Sequence, residues 1–444
     1  MSTEGATDNP DVCVIGAGPS GLATARALLQ EGIPFEVLER HHDVGGIWDL
    51  ARADTPMYDS AHFISSRTQS AFTGFPMPDR YPDYPSNAQI LMYLRAFADH
   101  YRLRPHIRFG TSVRAVRQVD GAWEVTTDDG VTRRYAAVVL AVGHNWDPVL
   151  PAYPGAFTGR ISHAAAYRSP RELEGKRVLV VGAGNSGCDI ACDAARVAER
   201  AVLSLRRGYH FLPKHVFGQP TDAFFRTGPH LPMWIAQPAL TFLLRILVGD
   251  VTRYGLPRPD HRVLETHPIM NTQLLHHLAH GDVVPRPDVA ELRGDTVRFV
   301  DGAEEQVDTI IYATGYRASL PCLGALQDDV LRPGALRLNM FPRGHPALFV
   351  VGHFETDGAA YPVVSRQGAL VARLLGSTRA GGSDRVRATR DLEAHIERLV
   401  RASTRDLRGG VRHVPTERHA FYVQFDIYVR ALDRLLRRLE RRRS

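Results

Sequence analysis

Lysine is nearly missing from this chain. It occurs only as Lys176 and Lys214, so 52 of the 54 basic residues are arginine. We read that bias as a coding preference, that of a GC-rich bacterial genome, and not as a nucleic-acid signal. The arginines are scattered except at the C-terminus, where Arg437-Arg438 and Arg441-Arg442-Arg443 flank Leu439 and Glu440. A solvated helix end accounts for that cluster better than a nucleic-acid or membrane patch. Cysteine is scarce as well. Cys13, Cys188, Cys192 and Cys322 form no CxxC pair. Cys188 and Cys192 stand about one turn apart on a predicted helix, too far along its axis for easy bridging. This is the reduced pattern of an intracellular, cytoplasmic protein. The short polar N-terminus carries no apolar signal core. Leu231–Gly249 is the most apolar long run, but Pro232, Pro238 and Arg245 interrupt it. It therefore reads as a buried or surface-packed helix, with no integral membrane segment expected. The pair His41-His42 has no third ligand at useful spacing, so no metal is expected. No repeat of solenoid period is present.

What the chain does have is glycine, gathered in two turns. With 444 residues there is room for more than one domain. Residues 1–10 read as disordered. Asp11–Ile15 is a short apolar run of the kind that forms a buried parallel strand. It leads into Gly16-Ala-Gly18-Pro-Ser-Gly21, and Leu22–Leu29 follows with strong helix formers. Phe35–Leu38 is a second strand, ending at Glu39. In such a βαβ unit the first two glycines allow a tight turn and let backbone approach a pyrophosphate. The third lets helix and strand pack closely, and the helix N-terminus offers free N–H groups to the phosphates. Glu39 lies 23 residues after Gly16, where an acid accepts hydrogen bonds from a ribose diol and repels a 2′-phosphate. The first site thus suits FAD or NAD.

The middle of the chain repeats the scheme. Arg177–Val181 is a strand, Gly182-Ala-Gly184-Asn185-Ser186-Gly187 the turn, Asp189–Val197 a helix, and Ala201–Leu205 the next strand. At its end, 24 residues after Gly182, the acid is replaced by Arg206-Arg207. A guanidinium there can hold a 2′-phosphate in a bidentate way, which suits NADPH. The bland alternative is one more surface arginine in an arginine-rich chain. Around these units, Gly45-Gly46-Ile-Trp48 reads either as a loop passing close to a flat cofactor or as a tight turn with a core tryptophan. Tyr58–Tyr84 is irregular and rich in Pro, Ser and aromatics, as a site wall often is. Ile107–Val142 and Val297–Val307 read as two β-meanders. Their following strands end alike, in Val142-Gly143 and Thr314-Gly315. A late strand, Ala347–Val351, meets Gly352, and a helix containing Gln367 follows. This fits a return to the first domain to close over its cofactor.

Two dinucleotide folds, one refusing a 2′-phosphate and one favouring it, suggest hydride passing from NADPH to FAD. A disulfide reductase would need a redox-active cysteine pair, and none is placed for that. An oxygenase needs no protein nucleophile, only a dry site in which reduced flavin reacts with O₂. A flavin-binding protein without turnover remains a third option.

The sequence resembles the class B flavin-dependent monooxygenases, specifically the flavin-containing monooxygenases. Their fingerprint FxGxxxHxxx(Y/F) is matched by Phe157, Gly159, His163 and Tyr167, and their ATGY motif by Ala313-Thr314-Gly315-Tyr316. The resemblance runs from about residue 11 to about 375. It implies an α/β fold of two Rossmann-like domains: an FAD domain of residues 11–168 and 296–444, with an NADPH domain of residues 169–295 inserted. It implies FAD and NADPH as cofactors, with NADP⁺ staying bound to shield a C4a-hydroperoxyflavin. Gly16, Gly18, Gly21, Glu39, Arg40, Gly46, Trp48, Gly352 and Gln367 are then the candidate FAD contacts. Gly182, Gly184, Asn185, Ser186, Gly187, Arg206, Arg207, Thr314 and Gly315 complete the cofactor set. Baeyer–Villiger relatives carry Trp at the last fingerprint position, usually followed by Pro or Asp. Here Tyr167-Arg168 stands there, which favours oxygenation of a soft nitrogen or sulfur in a small nucleophilic molecule. Ketone oxygenation and NADPH oxidation with H₂O₂ release are the alternatives. Many members hold an asparagine near the flavin in the segment matching Ile64–Ser70, where this chain has Ser65 and Ser66. These serines and His163 are the candidate catalytic residues. His163 either transfers a proton or fixes the crossing between the domains. A homodimer is compatible with the sequence, which does not reveal an oligomeric state.

Overall fold

The computed structural model describes residues 11–227, 233–379 and 420–441, with shorter pieces between 393 and 414. The expected disordered residues 1–10 lie outside the described residues, as do Pro232, Arg442-Arg443 and most of a linker expected at Ser377–Asp384. Of that linker, Ser377–Arg379 is still helix.

The strand Val12–Ile15 is central to the first sheet. Five parallel strands stand in the order Leu348–Val350, Ala137–Leu140, Val12–Ile15, Phe35–Leu38, Ile107–Arg108. Val12–Ile15 and Ala137–Leu140 are buried at every residue, which is why they are continuous apolar runs and do not alternate. The helix Pro19–Gln30 packs against Ala360–Arg379. Gly368 makes the approach possible, since a side chain there would meet the Thr24 Cα at 2.9 Å. The C-terminal helix Phe425–Glu440 buries Phe425, Tyr428, Leu432 and Leu435 on this domain. An ion pair from Arg366 to Asp433 (2.7 Å) ties it to the helix Ala360–Arg379.

The second sheet repeats the plan. Its parallel order is Val283–Arg286, Arg200–Ser204, Arg177–Val181, Thr309–Tyr312, Arg160–His163. This membership widens the second unit beyond residues 169–295. Thr309–Tyr312 pairs with the strand before the second glycine turn, and Arg160–His163 pairs with Thr309–Tyr312. Gly155–Phe157 joins the meander strand Val289–Gly294. Sheet pairing thus carries this unit from Gly155 to Tyr312. Both meanders form with shifted bounds: the first is Val113–Val119, Ala122–Thr127 and Thr132–Tyr135, and the second starts earlier than expected, at Val289.

The apolar run near residue 240 is a helix, Met233–Leu247, with Pro238 inside. It buries Leu244 and exposes Trp234, Phe242 and Ile246. Among the described residues no helix is long and apolar enough to cross a membrane.

One ion cluster fastens the second sheet to its meander. The Glu305 side chain, 7% exposed, takes Arg200 at 2.7 Å and Arg286 at 2.6 Å. The Arg200 hydrogen bond leads in holding the Glu305 carboxyl below its ordinary range, against the opposing effect of burial. Its stabilising contribution is therefore present above the unfolded-state value and lost as pH falls through the folded one. Glu305→Gln is expected to cost about 1.5 kcal/mol near neutral pH, discounted for the exposed arginines. In thermal unfolding the gap to the parent protein should close below about pH 4. A gap that persists in acid would show that the loss is one of packing.

Candidate functional site

The two glycine turns have the same construction. Gly16 has φ +102° and a side chain there would meet the Ala141 carbonyl oxygen at 2.7 Å. Gly182 has φ +103° and would meet the Ala313 carbonyl oxygen at 2.6 Å. Side chains at Gly21 and Gly187 would lie 1.8 and 2.0 Å from the carbonyl oxygens of Gly16 and Gly182. Each turn therefore rests on the small residue that ends a neighbouring strand. The helices that follow begin at Gly18 and Gly184 as caps, and no side chain caps either. Their first N–H groups are left to a phosphate.

Around the first turn, Gly45 N donates to the Ala17 carbonyl at 3.2 Å, and a side chain at Gly46 would lie 3.0 Å from the Gly18 Cα. Trp48 is buried and meets Phe63 edge-on at 5.2 Å. The loop thus lies on the turn while its tryptophan is a core residue. The Glu39 carboxylate accepts from Ala17 N (2.7 Å) and His41 N (3.0 Å), with further lone pairs for a ribose diol. Arg40, a candidate contact, pairs with Asp54. Gly352 has φ +83° and a side chain there would meet Ser20 Oγ at 2.1 Å. Gln367, a candidate cofactor contact, makes one hydrogen bond inside the protein at each end of its amide. Its Oε1 accepts from Gly352 N at 2.9 Å and its Nε2 donates to the Tyr428 hydroxyl at 2.8 Å. It braces the Gly352 turn against the C-terminal helix.

Around the second turn, Gly182 N donates to the Ser204 carbonyl at 2.9 Å. Arg206, two residues on, is exposed and Arg207 half-buried. Asn185 Oδ1 accepts from Met270 N at 3.1 Å, so at least its amide oxygen serves the protein.

The crossing lies where the ends of the two sheets meet. Thr314 Oγ1 donates to the Val149 carbonyl at 2.5 Å, and Val149 N donates to the Gly315 carbonyl at 3.0 Å. A side chain at Gly159 would meet the Asp308 carbonyl oxygen at 2.4 Å and the Phe157 ring at 2.7 Å, which explains that glycine. His163 is buried and starts a single helical turn, its Nδ1 accepting from Ala165 N at 3.0 Å. Its ring meets Tyr316 edge-on at 5.2 Å. Burial pushes its pKa below the ordinary histidine range, with the backbone at Gly315 opposing. A neutral, buried acceptor suits fixing the crossing. Tyr167, fully buried, donates to Asp193 Oδ2 at 3.0 Å.

Ser66 is buried. Its backbone N–H donates to Asp222 Oδ2 at 2.7 Å and its hydroxyl lies 3.3 Å from that of Thr68. Ser65 is half-buried and accepts from the Ser70 hydroxyl at 2.7 Å. The sequence reading missed Tyr58, Asp189, Asp193, Asp222 and Arg226, which gather around this segment. The signal for two of them was there: Asp189 and Asp193 are i, i+4 acids among apolar residues of one helix. Among the described residues no group of three or more His, Cys, Asp or Glu is placed to hold a metal ion.

A model of the family described as flavin-binding monooxygenase-like matches residues 9–408. The chain belongs to this family. Indole-3-pyruvate monooxygenase YUCCA1 of Oryza sativa subsp. japonica is 34% identical over 360 residues, covering 77% of this chain and 86% of that protein. Flavin-containing monooxygenase 5 of Homo sapiens is 29% identical over 433 residues, covering 92% and 79%. Among solved structures, cyclohexanone monooxygenase from Rhodococcus sp. Phi1 bound to NADP⁺ matches the fold with a TM-score of 0.71 at 19% identity, covering 97% of this chain and 96% of that one. A flavin-binding monooxygenase is an oxidoreductase that works with FAD and NADPH, and the two cradles fit that pair. Each has an uncapped helix N-terminus and glycines that no side chain could replace. The first has an acid beside it, and the second an exposed arginine.

Proposed function

We propose that this monooxygenase passes hydride from NADPH in the second unit to FAD in the first. With O₂ it then oxygenates a soft nitrogen or sulfur of a small nucleophilic molecule. Bound FAD supplies the ring that accepts the hydride and, once reduced, activates O₂. The chain's own residues bind and orient. The helix starts at Gly18 and Gly184 hold phosphates, Glu39 orients a ribose, and Arg206 reads the 2′-phosphate. Trp48, Phe63 and Tyr361 pack on one another in the core of the first unit. Thiol chemistry has no support here: burial pushes Cys13 and Cys188 up, Cys192 up to about 12 and Cys322 up to about 11.

The observation that carries the choice of substrate class is Tyr167-Arg168 at the end of the crossing, with the tyrosine hydroxyl on Asp193. A second reading, oxygenation of a carbonyl compound, draws support from relatives named for indole-3-pyruvate, an oxo acid. The test is product analysis with a thioether, a tertiary amine and a cyclic ketone offered separately in the presence of NADPH and air. Sulfoxide or N-oxide formed in step with NADPH consumption is the expected outcome. Lactone formation alone would transfer the choice to the second reading. H₂O₂ as the sole product with every compound would leave an NADPH oxidase.

A further inference from the structure

Residues 57–84 contain no regular helix or strand, yet they are held on two sides. Phe63 and Phe72 pack into the first unit, whereas the Tyr58 ring faces Tyr167 and the Tyr84 ring meets His215, both of the second. Phe63 lies 5.2 Å from both Trp48 and Tyr361, and Phe72 stacks on Tyr361 at 4.8 Å. Polar groups of Tyr58, Ser60, Ser66 and Gln69 reach the second unit, while Thr73 bonds to Arg26 and Ser365 of the first. The Tyr58 hydroxyl donates to Asp189 Oδ2 at 3.0 Å and the Ser60 hydroxyl to Asp193 Oδ2. Ser66 N donates to Asp222, and Gln69 Oε1 accepts from Arg226 at 2.7 Å. One segment is thus keyed into two domains, with hydrogen bonds to the acids of the second unit.

The receiving end on the second unit is unusual. Asp189 and Asp193 stand on the helix Asn185–Val197, whose first residues form the nucleotide turn. At 1.5 Å per residue they lie about 6 and about 12 Å along that helix from its start. The helix is therefore a short rod with the phosphate cradle at one end and the two acids along its shaft. Both acids are fully engaged. Asp189 also accepts from Asn271 Nδ2 at 2.7 Å, and Asp193 also accepts from Tyr167 and Arg196. Buried carboxylates held by hydroxyls lose much when a partner moves away, so their partners follow the helix. Between Ser60 and Gln69 the segment carries Ser65 and Ser66, the residues that the resemblance places near the flavin.

We propose that Asp189 and Asp193 are positioning residues that make residues 57–70 follow the seating of the nicotinamide nucleotide and carry that displacement to the flavin side. This rests on the reading of the second unit as the NADPH site. The link runs through packed, hydrogen-bonded groups and needs no change of fold.

The test is amide hydrogen exchange on the FAD-loaded enzyme with and without saturating NADP⁺, in the parent protein and in a Tyr58→Phe/Ser60→Ala variant. The variant removes both hydroxyls and keeps the ring that faces Tyr167 at 5.6 Å. In the parent protein, NADP⁺ should slow exchange at residues 182–190 and, about fivefold, at residues 57–70. In the variant the first effect should stay and the second vanish. Under turnover the variant should release about threefold more H₂O₂ per NADPH, with its KM for NADPH within about twofold of the parent. Equal protection of 57–70 in both proteins, or none in the parent, overturns the proposal while protection at 182–190 upholds the NADPH site. No protection at 182–190 overturns the NADPH reading and the proposal with it. Should the double variant fail to retain flavin, Ser60→Ala alone serves, with the same outcomes.

Discussion

Gly187→Ala is expected to give a protein that keeps its flavin and that NADPH can no longer reduce at a useful rate. The added methyl would sit 2.0 Å from the Gly182 carbonyl oxygen and 3.1 Å from the Ala313 Cβ. Neither neighbour is the free end of a flexible side chain. One is the backbone of the turn itself and the other a short side chain on the strand that supports it. The turn must open by about 1 Å to relieve the overlap, in an interior with no slack to absorb it. That movement carries away the uncapped N–H groups at the start of the helix Asn185–Val197, the phosphate donors of the proposed reading. Displacements of this size in a binding cradle cost roughly a hundredfold in rate. We therefore expect flavin reduction at a fixed NADPH concentration to fall about a hundredfold. The first turn lies in the other sheet and does not share the strain, so the flavin content per protein should hold. The mirror variant, Gly21→Ala, puts a methyl 1.8 Å from the Gly16 carbonyl oxygen and should lose flavin instead. Flavin absorbance together with anaerobic reduction kinetics separates the two. Reduction of Gly187→Ala at the parent rate would mean that the reductant docks elsewhere.

The two glycine turns were legible in the sequence because their causes are local. Val12–Ile15 and Arg177–Val181 are apolar runs that end at glycine, and only a buried parallel strand with a tight turn explains that pattern. Glu39 and Arg206 were found by their distance from the turns. The edges of the second unit were not legible. Arg160–His163 and Thr309–Tyr312 are brought together across 149 positions by hydrogen bonds that no local pattern records. Side-chain direction was equally hidden. Gln367 has the right place in the chain for a cofactor contact, and only the structure reveals that its amide is used by Gly352 and Tyr428. His163 suggested acid–base chemistry by residue type alone. The structure shows it buried, with Nδ1 accepting from Ala165 N at the start of a single helical turn. The irregular segment 57–84 had no period to read, since successive side chains turn to different domains.

Arg206→Ala tests the electrostatic half of the same division. The residue stands just past the strand Arg200–Ser204, whose Ser204 carbonyl accepts from Gly182 N at 2.9 Å. A 2′-phosphate on a nucleotide seated at that turn would therefore come within reach of its guanidinium. A bidentate contact between these groups contributes about 2–3 kcal/mol when shielded from water. Arg206 is exposed, and salt and solvent weaken such a contact. The expected result is a rise in KM for NADPH of about 20-fold, with kcat changed little and NADH turnover unaffected. The rise should shrink as ionic strength is increased, because the lost interaction was partly screened already. Arg206→Glu should go further. It would place an acid where Glu39 stands in the first unit, repelling the 2′-phosphate and offering an acceptor to the ribose of NADH. The ratio of kcat/KM for NADPH to that for NADH is the measurement that decides. A ratio left at the parent value by both variants would return Arg206 to the many solvated arginines of this chain. Arg207, half-buried beside it, would then be the next candidate reader.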